Sequence, residues 1–589
     1  MVSSEDSVAK EHMTGAQAVV RVLELEGVRQ VFGLCGHTNV AVLAALEHSP
    51  VRFVGVHHEQ MAGHAADGLA RVTGEVQVVL THLGPGLTNA LTGVANASLD
   101  SIPLVVLTGN VQSYFFGRHA HMETLLRADA DQARAYEPWC KRVWRVERPE
   151  ALVGVLDAAF ATARSGRPGP VLVDVAMDVF SRDVAFDADW RPRPLPAPPG
   201  LLAETADAIV DRLIRAERPV LYAGGEVVRC GAGPALVALA EISGAPVAYS
   251  LMGKGAISDR HPLCVGMSGL WGTPAANAAC SEADLLVAVG TSFGELDSSS
   301  WVPGVTFRIP PTDLVHTHLD PAEIGRSYRP VIGAVAHPRS VCEEVTRRLE
   351  VALGGSERSG RRSSLSPRLS QLRREFEDGL EPARTSDAMP MRPERVLHDL
   401  ATVLDENVVI VGDTGWNKNG IGQQFPVEAP GRFIAPGGFA TMGFGPAAVL
   451  GAALAPGGRR ALALVGDGAF LSNLSVMVTA VEEDLPVVWV VMDNGTYATI
   501  SSMEQRHFGT EYGAGFDTSR LDYAAAARAV GARGYRVDRA CDLASVVLEA
   551  LDCGEPAVVD VPCTRDNVPA TGCWEINDLF GRYASVEEQ

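Results

Sequence analysis

The 589-residue sequence contains no uninterrupted apolar run long enough to span a bilayer, which argues against a transmembrane helix. Its ten cysteines include no CxxC pair and no zinc-type spacing, so they read as reduced core or surface thiols. The polar N-terminus lacks a signal-peptide pattern, and the expected location is the cytoplasm. Positive charge is scarce: 50 Lys and Arg stand against 71 Asp and Glu, a net −21, which argues against nucleic acid or an anionic membrane as a partner. No GxGxxG opens a helix after a strand with an acidic residue about 20 positions further on, which argues against a Rossmann-type dehydrogenase.

What is present is glycine and alternation. At roughly 100–200 residues per domain the length suits three domains. Residues 1–12 are polar and expected to fray. From Thr14 a helical pattern of Ala18, Val19, Val22, Leu23 and Leu25 stops at Gly27. Strands are expected near 28–34, 51–56, 76–81, 104–108 and 171–175, with helices between them. Strand, glycine turn and helix in alternation imply a parallel, doubly wound sheet, assigned here to 1–190. The run RPRPLPAPP at 191–199 reads as a stiff linker. A second α/β domain is expected over 201–350, with strands near 219–223, 246–249, 285–289 and 315–319. Residues 351–390, which include the polar GGSERSGRRSSLSPR, are expected to be a flexible linker. A third domain covers 391–566. The tail 567–589 has Trp574, Ile576, Leu579, Phe580 and Tyr583, enough apolar surface to pack as a lid or onto a neighbour. The expected class is therefore α/β, with three doubly wound parallel-sheet domains.

The most informative stretch is 466–496. An apolar run, 461–465, breaks into Gly466-Asp467-Gly468; a helix-like segment follows, and a second run, 486–492, breaks into Asp493-Asn494-Gly495. Two parallel strands joined by a helix bring both breaks to the same carboxyl edge, where open α/β sheets bind ligands. That edge offers a carboxylate (Asp467), an amide oxygen (Asn494) and a backbone carbonyl (Thr496). These hard oxygen ligands suit Mg²⁺, whose shell is usually completed by phosphates. Gly466 and Gly468 let the backbone approach a phosphate closely.

This pattern resembles the thiamine diphosphate signature, GDG followed by a spaced Asn-Asn, with Asp493 in place of the first Asn. Nearly the whole chain is similar to the superfamily of acetolactate synthase, benzoylformate decarboxylase and benzaldehyde lyase. The segment HHEQMAGHAADGLARVTG resembles its pyrimidine-binding segment, which implies that Glu59 hydrogen-bonds N1′ of the aminopyrimidine and promotes removal of the C2 proton. The resemblance implies further cofactor contacts at Pro85, Asn89, Ala469 and Tyr497. Gly437 to Gly445 resembles the synthase GGLGAMGFG, which implies that Met442 holds the bent cofactor and that the Ala440 carbonyl receives its 4′-amino group. Trp416 and Asn417 fall where the family loop contacts the diphosphate. The domain order implied is pyrimidine, middle and diphosphate, with sites formed between subunits of a homodimer or homotetramer. In the middle domain, Leu319-Asp320-Pro321-Ala322-Glu323-Ile324-Gly325-Arg326 resembles a stretch where relatives bind FAD, bind ADP, or bind nothing, so FAD stays open.

Histidines narrow the chemistry. His82 lies 23 positions after Glu59, the offset of an active-site His in benzoylformate decarboxylase. His37 falls on the loop where ring-opening dione hydrolases carry His. Two imidazoles near the reactive carbon suit proton shuttling. In Gly117 to Glu123, Met122 replaces the carboligase Gln and His121 its Phe, an altered substrate wall in which His121 faces a polar group or lies at the surface. The Trp-Glu pair that synthases carry after the Asn is absent. The expectation is a thiamine diphosphate- and Mg²⁺-dependent 2-oxo acid decarboxylase or carboligase. The alternatives are non-decarboxylating cleavage or hydrolysis of a 1,2-dione or acyloin, and acetolactate synthesis.

Overall fold

A computed structural model of the protein describes residues 10–123, 131–357, 363–517, 521–566 and 568–574. The chain forms two compact units: one of residues 1–197, 438–458 and 473–485, the other of 198–437, 459–472 and 486–589.

The first unit is built on six parallel strands in the order Arg52–Gly55, Gln30–Gly33, Gln77–Thr81, Leu104–Asn110, Val171–Ala176 and Val143–Val146. The central strands are buried throughout, as continuous apolar runs covered on both faces must be. Lys10–Thr14 pairs antiparallel with Asp183–Asp187, so residues 10–12 are a strand and not the frayed end expected. Their alternating polar surface hid it, since a two-stranded ribbon needs no apolar run.

Helix Glu59–Thr73 is the hub of this unit. It crosses helix Pro85–Leu99 at a glycine pair: a Cβ on Gly63 would lie 3.0 Å from the Gly93 Cα. It crosses helix Phe444–Ala453 more tightly still, where a Cβ on Gly451 would lie 1.9 Å from the Ala65 carbonyl oxygen. Buried Arg71 locks the arrangement, with Nε 2.5 Å from Asp67 and Nη2 2.7 Å from Asp100, while Asp100 accepts the Gly438 N–H at 2.7 Å.

The second unit holds two six-stranded parallel sheets. One runs in the order Cys264–Met267, Val247–Tyr249, Pro219–Ala223, Leu285–Val289, Asp313–His318 and Ile332–Val335. The other runs Phe433–Ile434, Val408–Gly412, Arg460–Gly466, Val487–Asp493, Ala557–Pro562 and Arg533–Arg536. Much of the expected flexible linker is instead helix: one helix runs Pro338–Glu357 and another Pro367–Arg384. Ser366 caps the second by accepting the Leu369 N–H, Pro367 suits its first turn, and Leu369 and Leu380 bury its inner face. A charged outer face disguised it. In the tail, Trp574 donates to Glu295 at 3.2 Å; Ile576, Leu579, Phe580 and Tyr583, on which the lid expectation rested, lie outside the described residues. No helix among the described residues is long and apolar enough to cross a membrane.

Candidate active site

In the first unit, strand Arg52–Gly55 ends at the turn that opens helix Glu59–Thr73, so Glu59 stands at a carboxyl strand end. It is 6 % exposed. The Asn89 amide donates to its Oε2 at 3.0 Å. Gly86 separates Glu59 from His82: a Cβ there would lie 3.3 Å from Glu59 Oε1 and 3.0 Å from the His82 Cβ. Pro85 opens helix Pro85–Leu99 behind Gly84, whose φ of +57° needs glycine. The sequence therefore brings Glu59, Pro85, Asn89 and His82 to one place.

His82 is buried, and its Nδ1 lies 2.9 Å from the Leu83 carbonyl oxygen. A carbonyl only accepts, so Nδ1 carries a hydrogen. Nε2 then faces His37 Nδ1 at 2.9 Å and either accepts from it or, when His82 is cationic, donates to it. One proton lies on that axis. The His37 ring also lies near exposed His121, ring centroids 6.3 Å apart. Partial burial, then the neighbouring His82 and His121, hold the His37 pKa below its usual value. The three histidines thus form a row leading outward from a buried imidazole.

Sequence reasoning missed what holds this turn. Gln132 accepts the Gly84 N–H at 2.8 Å and donates to Asp174 at 2.9 Å; Asn110 donates to the other Asp174 oxygen at 2.8 Å. Burial pushes Asp174 up to about 6. The only sequence signal was a lone acid inside the apolar run VLVDVA.

Residues 438–445 belong to the same unit. Ala440 has φ +53° and Gly443 φ +88°, and a Cβ on Gly443 would lie 2.2 Å from the Asn473 amide. A non-glycine residue held left-handed carries strain of the kind that collects at functional sites. The Thr441 hydroxyl lies 3.3 Å from His64 Nε2, and Phe439 stacks edge-on to Trp139 at 5.3 Å. Met442, between these fixed points, is 42 % exposed.

In the second unit, strands Val408–Gly412, Arg460–Gly466 and Val487–Asp493 are adjacent and parallel, so their three breaks share an edge. Asp467 is almost fully buried. Its Oδ1 accepts the Gly468 N–H at 2.7 Å, and its Oδ2 accepts those of Asn494 (2.9 Å) and Gly495 (2.7 Å). Burial pushes its pKa up to about 6 against these bonds. Asn494 Oδ1 accepts the Thr496 N–H at 3.1 Å. Gly466 and Ala469 flank the aspartate, and the Tyr497 ring covers Gly468, where a Cβ would lie 2.4 Å from it. Two further residues escaped the sequence reading. Arg565 donates to the carbonyls of Asn494 (3.1 Å) and Gly495 (3.3 Å) and pairs with Glu511 at 2.8 Å, and Glu511 accepts the Thr496 hydroxyl at 2.6 Å. They lie 71 positions after Asn494 and 15 after Thr496 in a segment with no motif.

The donor set fits a hard divalent cation: a carboxylate met only by neutral N–H groups, beside an amide oxygen and a peptide carbonyl. Among the described residues no group of three or more His, Cys, Asp or Glu competes as a metal site. On the neighbouring turn, the buried Thr414 hydroxyl and Asn417 Oδ1 have no partner among the described residues, as befits a polar ligand there. The Trp416 side chain sits in the hydrophobic core. In the middle sheet, the Glu226 carboxylate accepts the Leu319 N–H at 3.2 Å and lies 3.4 Å from His318. That N–H is therefore already taken by a carboxylate and is not free to meet the pyrophosphate of FAD.

A secluded glutamate at one sheet edge and a cation-ready aspartate turn at another define an α/β enzyme that works with a phosphorylated cofactor. The chain belongs to the thiamine pyrophosphate enzyme family, and thiamine diphosphate is its cofactor. The family's N-terminal TPP-binding domain matches residues 13–133, its central domain 206–345 and its C-terminal TPP-binding domain 413–561. A probable acetolactate synthase large subunit of Methanocaldococcus jannaschii is 33 % identical over 564 residues, 93 % of this chain and 92 % of that one. The acetolactate synthase large subunit of Mycobacterium tuberculosis is 34 % identical, covering 94 % and 88 %. Isozyme 1 of Escherichia coli is 30 % identical, covering 95 % and 96 %.

Proposed function

We propose that this enzyme decarboxylates a 2-oxo acid and passes the acyl group to an acceptor carbonyl, using thiamine diphosphate and Mg²⁺ in a cytoplasmic homo-oligomer whose domains span about 1–190, 201–350 and 391–566. The observation that carries it is Glu59, secluded at a strand end with Oε2 occupied by Asn89. When bound, thiamine diphosphate supplies a carbon nucleophile and an electron sink for the bond being made or broken.

The chain's own residues do the rest. Asn89 orients Glu59 and leaves Oε1 to hold a proton against the aminopyrimidine. Asp467, Asn494 and the Thr496 carbonyl hold the cation, with Arg565 and Glu511 fixing their turn. Gly466, Gly468, Ala469, Tyr497 and Asn417 cradle the diphosphate, and Ala440 and Met442 hold the ring end. His82, with Nδ1–H tied to Leu83, exchanges its Nε2 proton with His37, which returns it to solvent past His121.

The named relatives favour acetolactate synthesis as a second reading, since they are acetolactate synthases by name. The His37–His82 contact favours a third, cleavage of a 1,2-dione or acyloin without loss of CO₂. Carbon dioxide release from a panel of 2-oxo acids, with products identified, tests all three. Release from at least one, abolished in Glu59→Gln, is expected; turnover of diones alone would replace the first reading with the third.

A further inference from the structure

We propose that the second unit carries a separate site for a small hydroxylated anion, a carboxylate or phosphate ester, in a cavity of about 310 Å³ beneath helix Pro367–Arg384. The volume is that of a small-metabolite site. Its basic lining residues Lys254, Arg260, Arg373 and Arg384 outnumber the acidic Asp259 and Glu377, on a chain of net −21.

Pairing within the cavity leaves a specific remainder. Lys254 is matched by Asp259 at 2.7 Å, Arg384 by Glu377, and Arg260 by Glu428 at 3.0 Å. Arg373 donates only to the carbonyls of Asp259 (2.9 Å) and Cys264 (3.3 Å) and meets no carboxylate among the described residues. Half-buried His398 has no hydrogen-bond partner among them. A guanidinium that meets no carboxylate and an imidazole with no hydrogen-bond partner both line the cavity, and together they suit an anion. Gln424 adds the hydroxyl: its buried Oε1 has no donor among the described residues, while its Nε2 donates to Gln423 at 3.1 Å. An unsatisfied buried acceptor selects a ligand that carries an O–H.

The site is placed to be felt. Gln423 and Gln424 end helix Trp416–Gln424, whose first residues, Trp416 and Asn417, stand at the cofactor edge about 12 Å away by helical rise. Lys254 grips the same end through the Gly422 carbonyl at 3.1 Å.

Binding is measured without turnover, by calorimetry on the full-length protein with malate and with glycerol 3-phosphate, and with succinate, which lacks the hydroxyl. Saturable binding of malate or glycerol 3-phosphate, stronger than that of succinate, is expected, and whichever of the two binds identifies the anion. Arg373→Met and, independently, His398→Phe should each weaken it about tenfold or more while thiamine diphosphate titrates normally. Absence of binding by both hydroxylated probes, equal binding of succinate, or unchanged affinity in both variants would overturn the proposal. Because cofactor titration is read in parallel, failure here stays distinct from failure of the active-site assignment.

Discussion

Replacing Gly451 by Ala should damage both stability and turnover, although the residue lies inside a helix and Ala favours helices. The new Cβ would stand 1.9 Å from the Ala65 carbonyl oxygen, 2.8 Å from its carbon and 2.9 Å from the Leu69 nitrogen. All three are backbone atoms, so no side chain can swing aside. Restoring even a 3.0 Å contact requires helices Glu59–Thr73 and Phe444–Ala453 to part by at least about 1.1 Å. Overpacking of this kind costs about 1–3 kcal/mol, and a rigid backbone clash belongs at the upper end. Glu59 begins the displaced helix, about 9 Å along it from Ala65, so kcat should fall with stability.

The assay is chemical denaturation followed by tryptophan fluorescence, with kcat measured on the folded fraction. Gly379→Ala is the matched control. It also lies inside a helix, Pro367–Arg384, but its Cβ would meet nothing within 4 Å. It should gain about 0.5–1 kcal/mol from helix propensity alone. Gly68→Ala, 2.3 Å from the Ala448 carbonyl oxygen, should behave like Gly451→Ala. A Gly451→Ala protein that denatures at the wild-type midpoint with wild-type kcat would refute the close-crossing account.

Other outcomes follow from the site. Glu59→Gln should lower turnover at least about 100-fold with unchanged circular dichroism; retained turnover would remove Glu59 from its role. Asp467→Asn should weaken Mg²⁺ binding about tenfold or more, read by titration after removing the metal with EDTA. Because the His37 pKa lies below 6.5, the acid limb of the rate profile should fall below that pH and should vanish in His37→Gln. His64 is fully buried and burial holds it neutral down to about 3, below its ordinary 6.5. Its contribution to stability is full above pH 6.5 and is lost as pH falls toward 3, with a slope of up to about 1.4 kcal/mol per pH unit. His64→Gln should flatten acid denaturation across that window.

Most interior strands of the first two sheets were legible from residue type, as was the edge strand Arg52–Gly55, while most other edges were not. Val76–Thr81, Leu104–Thr108 and Val171–Val175 are largely apolar runs, broken by Gln77 and Asp174, because both faces are covered. Val143–Val146, Ile332–Val335 and Arg533–Arg536 close their sheets half-exposed, so their sequences mix with the surrounding loops. The same physics explains the helix hidden in the expected linker: it buries Leu369 and Leu380 and carries its many charges on the rest of its surface.

The site divides along a different line. Groups proposed to meet ligand must be particular residue types at fixed positions on a turn, and spacing reveals them: Asp467 with Asn494, Glu59 with His82. Groups that hold those turns need only reach them in space. Arg565 reaches two carbonyls beside Asn494, and Gln132 reaches Gly84 across 48 residues, each from a segment whose local pattern says nothing of its task. The proposed proton relay shows both kinds at once. The sequence offers His37 and His82 as a pair, but the direction of exchange depends on the Leu83 carbonyl, which every residue possesses. Folding makes that carbonyl informative by setting it 2.9 Å from His82 Nδ1, which commits the other nitrogen to His37. The chemistry of the row is therefore written in side chains and its polarity in the backbone.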